Sequence, residues 1–305
     1  MREVRWERMF RDELDAAFHA CPVVYFAYGL CEPHGPQNAV GLDALKAHAI
    51  CVRSAHAHGG IVAPPDYWHI HELGPSASWL PHWVGEAKQH WMTAVPPWIH
   101  FKNVAYQLRV ADAIGFHAAI LVTGHYGPNW EDLKTLVNLL QPHFAMRIYS
   151  LPDFEANQPG FDGNGKGTGD HAGKVETSLL WALEPDCVDV SRIPAPDAPG
   201  PHFAMGPDAR ESSRLVGERM VEDEVRWLGA KAAELLEDYR QSEITDRQPL
   251  SYAAIEHIWA EEVLPVFGQF KTMQYLDRPP PPEGTMWQLN YVIPDIPGVT
   301  GPTGG

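Results

Sequence analysis

Three separated stretches of this chain place carboxylates and imidazoles where they could bind divalent cations and move protons. The first is Glu32-Pro33-His34, followed nine residues later by Asp43. Residues two apart in extended chain point the same way, so Glu32 and His34 can face one site. Glu, His and Asp side chains together suit borderline ions such as Zn or Mn. A plainer reading stays open: Asp43 as the cap of the helix that follows it, and Glu32 and His34 as ordinary loop surface.

The second stretch is Gly124-His125-Tyr126-Gly127, directly after an apolar run. Ligands of open α/β sheets gather at the carboxyl ends of strands, where His125 would sit. A turn histidine bonded to a carbonyl is the alternative. The third is Gly169-Asp170-His171-Ala172-Gly173, with Glu176-Thr177-Ser178 after it. His171 falls at an expected helix start, behind a glycine-rich loop. Asp170 could equally cap that helix, and Glu176 could be a solvated carboxylate favoured by the helix dipole.

The elements that must position these groups alternate strand, loop and helix, which predicts a mostly parallel sheet flanked by helices in three layers. Helices are expected over 3–20, from Asp43 to about Ala57, and over 103–114. Others are expected from Trp130 to about Leu140, over His171–Leu183 and over Asp208–Gln241. In the second helix Leu45, Ala49, Val52 and His56 share one face. Strands are expected at Val23–Tyr28, Ile61–Ala63, His117–Thr123 and Met146–Leu151. Between them, Asp66 to His100 is aromatic, Pro-rich and His-rich and is expected to form long loops lining a pocket. Residues 1–245 make the core domain. Residues 246–305, rich in Pro and aromatics, read as an extension packing on the core or on a neighbouring subunit.

Composition narrows the function classes. A net charge of −16 argues against nucleic acid as a partner, because phosphate contact wants a basic face. No apolar run approaches the ~20 residues that span a bilayer, and the mean hydropathy is −0.27. The charged N-terminus does not read as a secretory signal. Cys21, Cys31, Cys51 and Cys187 show no disulfide-scaffold spacing, so a reducing cytoplasm is the simplest expectation. Sixteen histidines are the unusual feature, since imidazole both binds metals and carries protons near neutrality.

In their order and spacing, the E-x-H…D loop, the GH-x-G turn and the H-A-G-x-x-E-T-S stretch resemble the creatininase family. Gly115-Phe116 and Leu183-Glu184-Pro185-Asp186 fit as well, and the resemblance covers about residues 20–240. It implies an α/β fold, a dinuclear centre of two divalent ions per chain (Zn, Mn or Fe), a small-molecule substrate and a homo-oligomer, often a hexamer. By position it makes Glu32 and His34 ligands to separate metals, Asp43 their bridge and His125 a further ligand. Where creatininase has a glutamate ligand two residues after that histidine, this chain has Gly127, and Glu176 is the candidate to fill the open place.

His171, oriented by Asp170, inherits the proton-transfer role. The implied reaction is C–N cleavage in a small cyclic substrate through a metal-bridging hydroxide. Hydrolysis of a keto-inositol ring or a formamidopyrimidine is the alternative, and a non-catalytic binding protein on the same fold is a further one. The stretch Tyr67–Glu72 departs from the family's Tyr-Gly-x-x-x-His pattern. It points to a reshaped pocket with Trp68, His69 and His71 as substrate contacts. Tyr126, with Trp79 and Trp83, could add flat apolar walls, though tryptophans pack in cores or interfaces as readily.

Overall fold

The computed structural model describes residues 2–71, 84, 91–127, 129–160, 170–242, 248–273, 283–284, 288 and 294–299. Trp79, Trp83 and most of the glycine-rich loop before Asp170 lie outside the described residues. Four parallel strands, β1 (Val23–Tyr28), β2 (Ile61–Val62), β3 (Ala118–Thr123) and β4 (Arg147–Pro152), form a sheet in the order β2-β1-β3-β4. β1 and β3 are apolar up to Thr123 at the end of β3 and buried at every position, as strands covered on both faces are. Their side chains alternate between two cores. Val24, Phe26, Tyr28, Ala119 and Leu121 enter one, while Val23, Tyr25, Ala27, Ile120 and Val122 enter the other.

Helices close both faces. Against the second core lie α2 (Leu42–His58), α5 (Lys174–Leu183) and α6 (Arg214–Gln241). Against the first lie α1 (Arg11–Ala20), α3 (Pro97–Ile114) and α4 (Asn129–Leu140). The segment from α7 (Tyr252–Ile258) through a π turn (Trp259–Val263) to α8 (Leu264–Phe267) adds Ile255, Ile258, Trp259, Val263 and Phe267 to that same core. Asp132 on α4 anchors it, accepting from the backbone N–H groups of Lys271 and Thr272 at 2.8 Å each.

Several expected boundaries shift for local reasons. The helix expected over 3–20 is broken: a 3-10 turn at Trp6–Arg8 precedes α1, and Glu13 Oε2 accepts the Phe10 N–H at 2.8 Å to start α1 afresh. α3 begins at Pro97, six residues before the expected 103, proline at the first turn losing no needed hydrogen bond. α5 begins at Lys174 and not at His171, because Ala172 has φ 51°. α6 begins at Arg214, behind a 3-10 turn at Ala209–Glu211. On α2 the face that carries Leu45, Ala49, Val52 and His56 is not the most buried one. Leu45, Ala49 and Val52 are half-buried and His56 is exposed, while Asp43, Lys46, Ala47, Ile50 and Ser54 face inward. The apolar pattern misled because that inward face carries an aspartate and a lysine.

Glu224 on α6 is fully buried, accepting from Ala156 N–H at 2.7 Å and Asn157 Nδ2 at 3.3 Å. Burial pushes its carboxyl up to about 9. The folded state therefore holds a proton that the unfolded chain releases near 4.5, and stability falls as pH rises from there towards 9. Glu224→Gln keeps the accepting oxygen and removes the titration. Thermal melts should show Tm at pH 8 raised by roughly 2–6 °C and a flatter pH profile; an unchanged profile would contradict this.

Candidate metal centre

The level register of the sheet builds the site. Tyr28 pairs with Thr123 and Thr123 with Pro152, so β1, β3 and β4 release their chains at one height. β1 leads to Glu32 and His34, β2 to His69 and His71, β3 to His125, and β4 to Asp153. Two helix starts complete the ring, with Asp43 in the first turn of α2 and Glu176 in the first turn of α5. α2 reaches this edge because Gly124 has no side chain: a Cβ there would stand 2.1 Å from the Asp43 carbonyl oxygen. Gly29 gives the same clearance to Ala44.

Asp43 does not cap α2. Gly41 holds that position with no side-chain bond, and the Asp43 carboxylate turns into the site. Its Oδ1 lies 3.2 Å from His34 Nε2 and its Oδ2 3.1 Å from His125 Nδ1. Glu32 Oε1 lies 3.0 Å from the same His125 nitrogen, and Glu32 Oε2 lies 2.7 Å from His71 Nε2. Glu176 Oε2 approaches His34 Nε2 at 3.6 Å and accepts the Ala172 N–H at 2.7 Å. Glu32, His34, Asp43, His125 and Glu176, far apart in sequence, are thus brought together. All but His125 are at most 1% exposed.

Burial alone would lower the His34 and His125 imidazoles. The carboxylates outweigh it and hold them at about 9 and about 10. The same pairing holds Glu32 well below the usual carboxylate range against its burial. Glu176 goes the other way: burial lifts it to about 8 despite Lys46 and His34.

Beneath this ring lies a residue the sequence reading missed. Lys46, fully buried one helical turn after Asp43, sets its Nζ 2.9 Å from Asp153 Oδ2 and 3.5 Å from Glu176 Oε1. It also donates to the Gly124 carbonyl at 2.5 Å. Three carboxylates outweigh burial and keep it charged. Asp153 could have been found by the same signal as His125, a polar residue immediately past a buried strand. Lys46 could not, because its neighbours assigned the helix face elsewhere.

The remaining expected residues take varied places. The His171 ring stacks on His34 at 4.5 Å, with Nε2 2.7 Å from the Pro33 carbonyl and Nδ1 3.9 Å from Glu32 Oε1. Burial lowers it to about 4, so the ring is neutral near pH 7. The Asp170 carboxylate is turned to the start of α5, where Oδ2 accepts the Glu176 N–H at 2.9 Å. Gly173 holds the cap position of α5, and Asp170 reaches into its first turn from outside.

His69 is buried, accepting from the Ile70 N–H at 2.7 Å and packing between His100 and His125 at 4.1 and 5.6 Å. It supports His125 from below. Trp68 is 58% exposed. The Tyr126 ring covers Lys46 Nζ at 3.9 Å and meets Phe154 edge-on at 4.7 Å.

The donor set fits divalent cations. Ligand atoms of His34, Asp43 and Glu176 lie within 4.8 Å of one another, as do those of Glu32, His71 and His125, and of Glu32, His34 and His171. Among the described residues, no hydrogen bond of acceptable geometry reaches His34 Nε2 or Asp43 Oδ1, although both are buried. Buried polar atoms without such bonds are costly unless an ion satisfies them.

The family model for creatininase, described as creatinine amidohydrolase, matches residues 7–233. The chain belongs to the creatininase family. It is therefore a metal-dependent hydrolase. No curated protein matches it significantly. Among solved structures, a creatinine amidohydrolase (creatininase) matches at 21% identity and TM-score 0.61, covering 77% of this chain and 98% of its own. A putative creatinine amidohydrolase from Bacteroides fragilis NCTC 9343 matches at 18% identity and TM-score 0.61, covering 77% and 97%. A form described as Creatininase Mn matches at 23% identity and TM-score 0.58, covering 78% and 99%. A mutant creatininase of Zn-Zn type is similar too. At these identities the structural likeness establishes the creatininase α/β fold, and the site must be argued from this chain's own residues.

Lys46 gives this creatininase-family site its testable support. Lys46→Met leaves Asp153 and Glu176 buried without their cation. Breaking such a pair costs about 3–5 kcal/mol. Urea unfolding of the metal-free protein should show a loss of that order, and wild-type stability would remove the role.

Proposed function

We propose that the chain is a dinuclear amidohydrolase that cleaves a C–N bond in a small cyclic substrate. The observation that carries this reading is the division of the Asp43 carboxylate between His34 and His125. One oxygen faces the group formed with Glu176, and the other faces the group formed with Glu32. His34, Asp43 and Glu176 would hold one ion and Glu32 and His125 the other, with Asp43 between them. Zn, Mn and Fe all suit such ligands. Two divalent ions held there would supply Lewis acidity and lower the pKa of bound water.

The chain's own residues do the rest. With Nε2 on the Pro33 carbonyl, His171 turns Nδ1 towards the cluster. A neutral imidazole there accepts a proton during attack and returns it to the leaving nitrogen. His34 stacked beneath keeps that ring in place. Asp170, through the N–H at the start of α5, holds Glu176 in register. One similar solved structure is a mutant creatininase complexed with creatine, which supports a substrate of that size and polarity. The four free thiols support a reducing, cytoplasmic setting; among the described residues no helix is long and apolar enough to cross a membrane. A homo-oligomer is part of the same reading.

His34→Ala or Asp43→Ala should leave the fold intact while lowering bound metal from about two ions per chain and turnover by at least ~1000-fold. The substrates are a panel of cyclic amides, formamides and keto-inositols presented to metal-loaded enzyme. Full turnover after thorough chelation would overturn the mechanism, and turnover only of keto-inositols would replace C–N cleavage by ring hydrolysis.

Metal binding should also be pH-dependent. Metal-free His34 and His125 titrate at about 9 and about 10, so both are charged at pH 7 and must shed protons to become ligands. Affinity for Zn should therefore rise with pH from 6 to about 9. Calorimetry in buffers of different ionisation enthalpy should register the released protons, and binding without proton release would contradict the ligand set.

A further inference from the structure

We propose that His71 is a metal ligand, completing with Glu32 and His125 the half of the centre beside Gly127. The inference rests on the dinuclear reading above and assigns its second site. Without His71 that half offers Glu32 and His125 and a share of Asp43, whereas the His34 side has Glu176 as well. His71 Nε2 stands 2.7 Å from Glu32 Oε2, while the other Glu32 oxygen faces His125 Nδ1 at 3.0 Å. The two imidazoles are 5.4 Å apart, inclined at 39°, and the His71 side chain is 7% exposed.

Donors held about 2.0–2.1 Å from a tetrahedral ion stand roughly 3.4 Å from one another. The ligand atoms of Glu32, His71 and His125 all lie within 4.8 Å of one another, as do those of His34, Asp43 and Glu176. The backbone before His71 is pinned as well. His69 N–H donates to the Thr93 carbonyl at 3.2 Å, and Val95 N–H donates to the His69 carbonyl at 2.8 Å. A histidine two residues beyond such a bridge is aimed by the fold.

The chemical consequence is an asymmetric centre. One site offers a single imidazole and carboxylates, and the other offers two imidazoles. Nitrogen-rich sets favour Zn, Fe or Co, whereas oxygen-rich sets suit Mn. The Glu32–His71–His125 site should therefore be the one that discriminates against Mn.

His71 could instead serve only as a hydrogen-bond donor that steadies Glu32, and two substitutions separate these roles. His71→Gln keeps an N–H donor and is a poor ligand, whereas His71→Glu is a ligand and cannot donate when ionised. Each protein is loaded with Zn or Mn, desalted, and assayed for ions per chain by elemental analysis, with dissociation constants from competition against a chelator. The ligand role predicts that His71→Gln loses one of two ions. That site should weaken on the order of 100-fold or more, since losing even an outer partner of a ligand costs 10–100-fold. It predicts that His71→Glu keeps both ions and gains in Mn affinity relative to Zn.

The ion at the His34 site, retained in both variants, certifies the fold. The reverse pattern, with Gln keeping both ions at wild-type affinity and Glu losing one, overturns the assignment. Wild-type protein that holds no ion would overturn the dinuclear reading itself, and that result is read before any variant is made.

Discussion

The site depends on one constraint: Glu32, Asp43 and Glu176 are buried together at the end of a sheet. Carboxylates taken out of water cost several kcal/mol each unless cations are close by. Asp43 sits at the centre, one oxygen on each of two histidines. In the metal-free chain the imidazoles of His34 and His125 provide the positive charge, which is why both titrate so high. Divalent ions meet the same demand without protons. A chain selected only for stability would fill this volume with apolar side chains, which are often at least as stable as a buried ionic cluster.

The architecture around this charge follows from it. A parallel sheet in level register delivers Glu32, His71, His125 and Asp153 from successive strand ends, and two helix starts add Asp43 and Glu176. Helix N-termini are favourable places for carboxylates, because unpaired N–H groups and the dipole offset negative charge. Lys46 is, among the described residues, the permanent cation beneath the ring. It pairs with Asp153 and with one oxygen of Glu176, while the other Glu176 oxygen faces His34. Gly29 and Gly124 are the steric counterpart, because any side chain at either would push α2, and Asp43 with it, away from the strand ends.

The outer parts of the molecule hold this edge in place. The loop from Glu32 to Val40 is closed by Glu32 N–H on the Val40 carbonyl at 2.8 Å. It is tied to α5 through Gln37 on the Ala172 carbonyl and Asn38 on Thr177. The residues before and after Glu176 are thus bonded to the loop that carries His34. On the opposite face, Ile255, Ile258, Trp259, Val263 and Phe267 are buried in the core that also receives Phe26 and Leu121. That segment, rich in aromatics, closes an apolar face of the sheet far from the charged edge.

Much of the ring was legible before any coordinates, for a definite reason. Glu32-x-His34 and Gly124-His125 stand just past apolar strands, and short-range pattern alone places such residues at a sheet edge. The spacing from His171 to Glu176 likewise announced a helix start, although strain at Ala172 moved that start to Lys174. What the chain's own pattern settled was the alternation of strands and helices and the chemical types available at each strand end. Only the tertiary structure decided which of them meet. It turned Asp43 inward from a capping position, gave the Asp170 carboxylate to the start of α5, and brought Lys46 under the ring against the apolar pattern of its own helix. Convergence of charges is a property of three-dimensional packing: distances between residues 32, 71, 125 and 176 are set by sheet register and helix docking, which no local periodicity encodes.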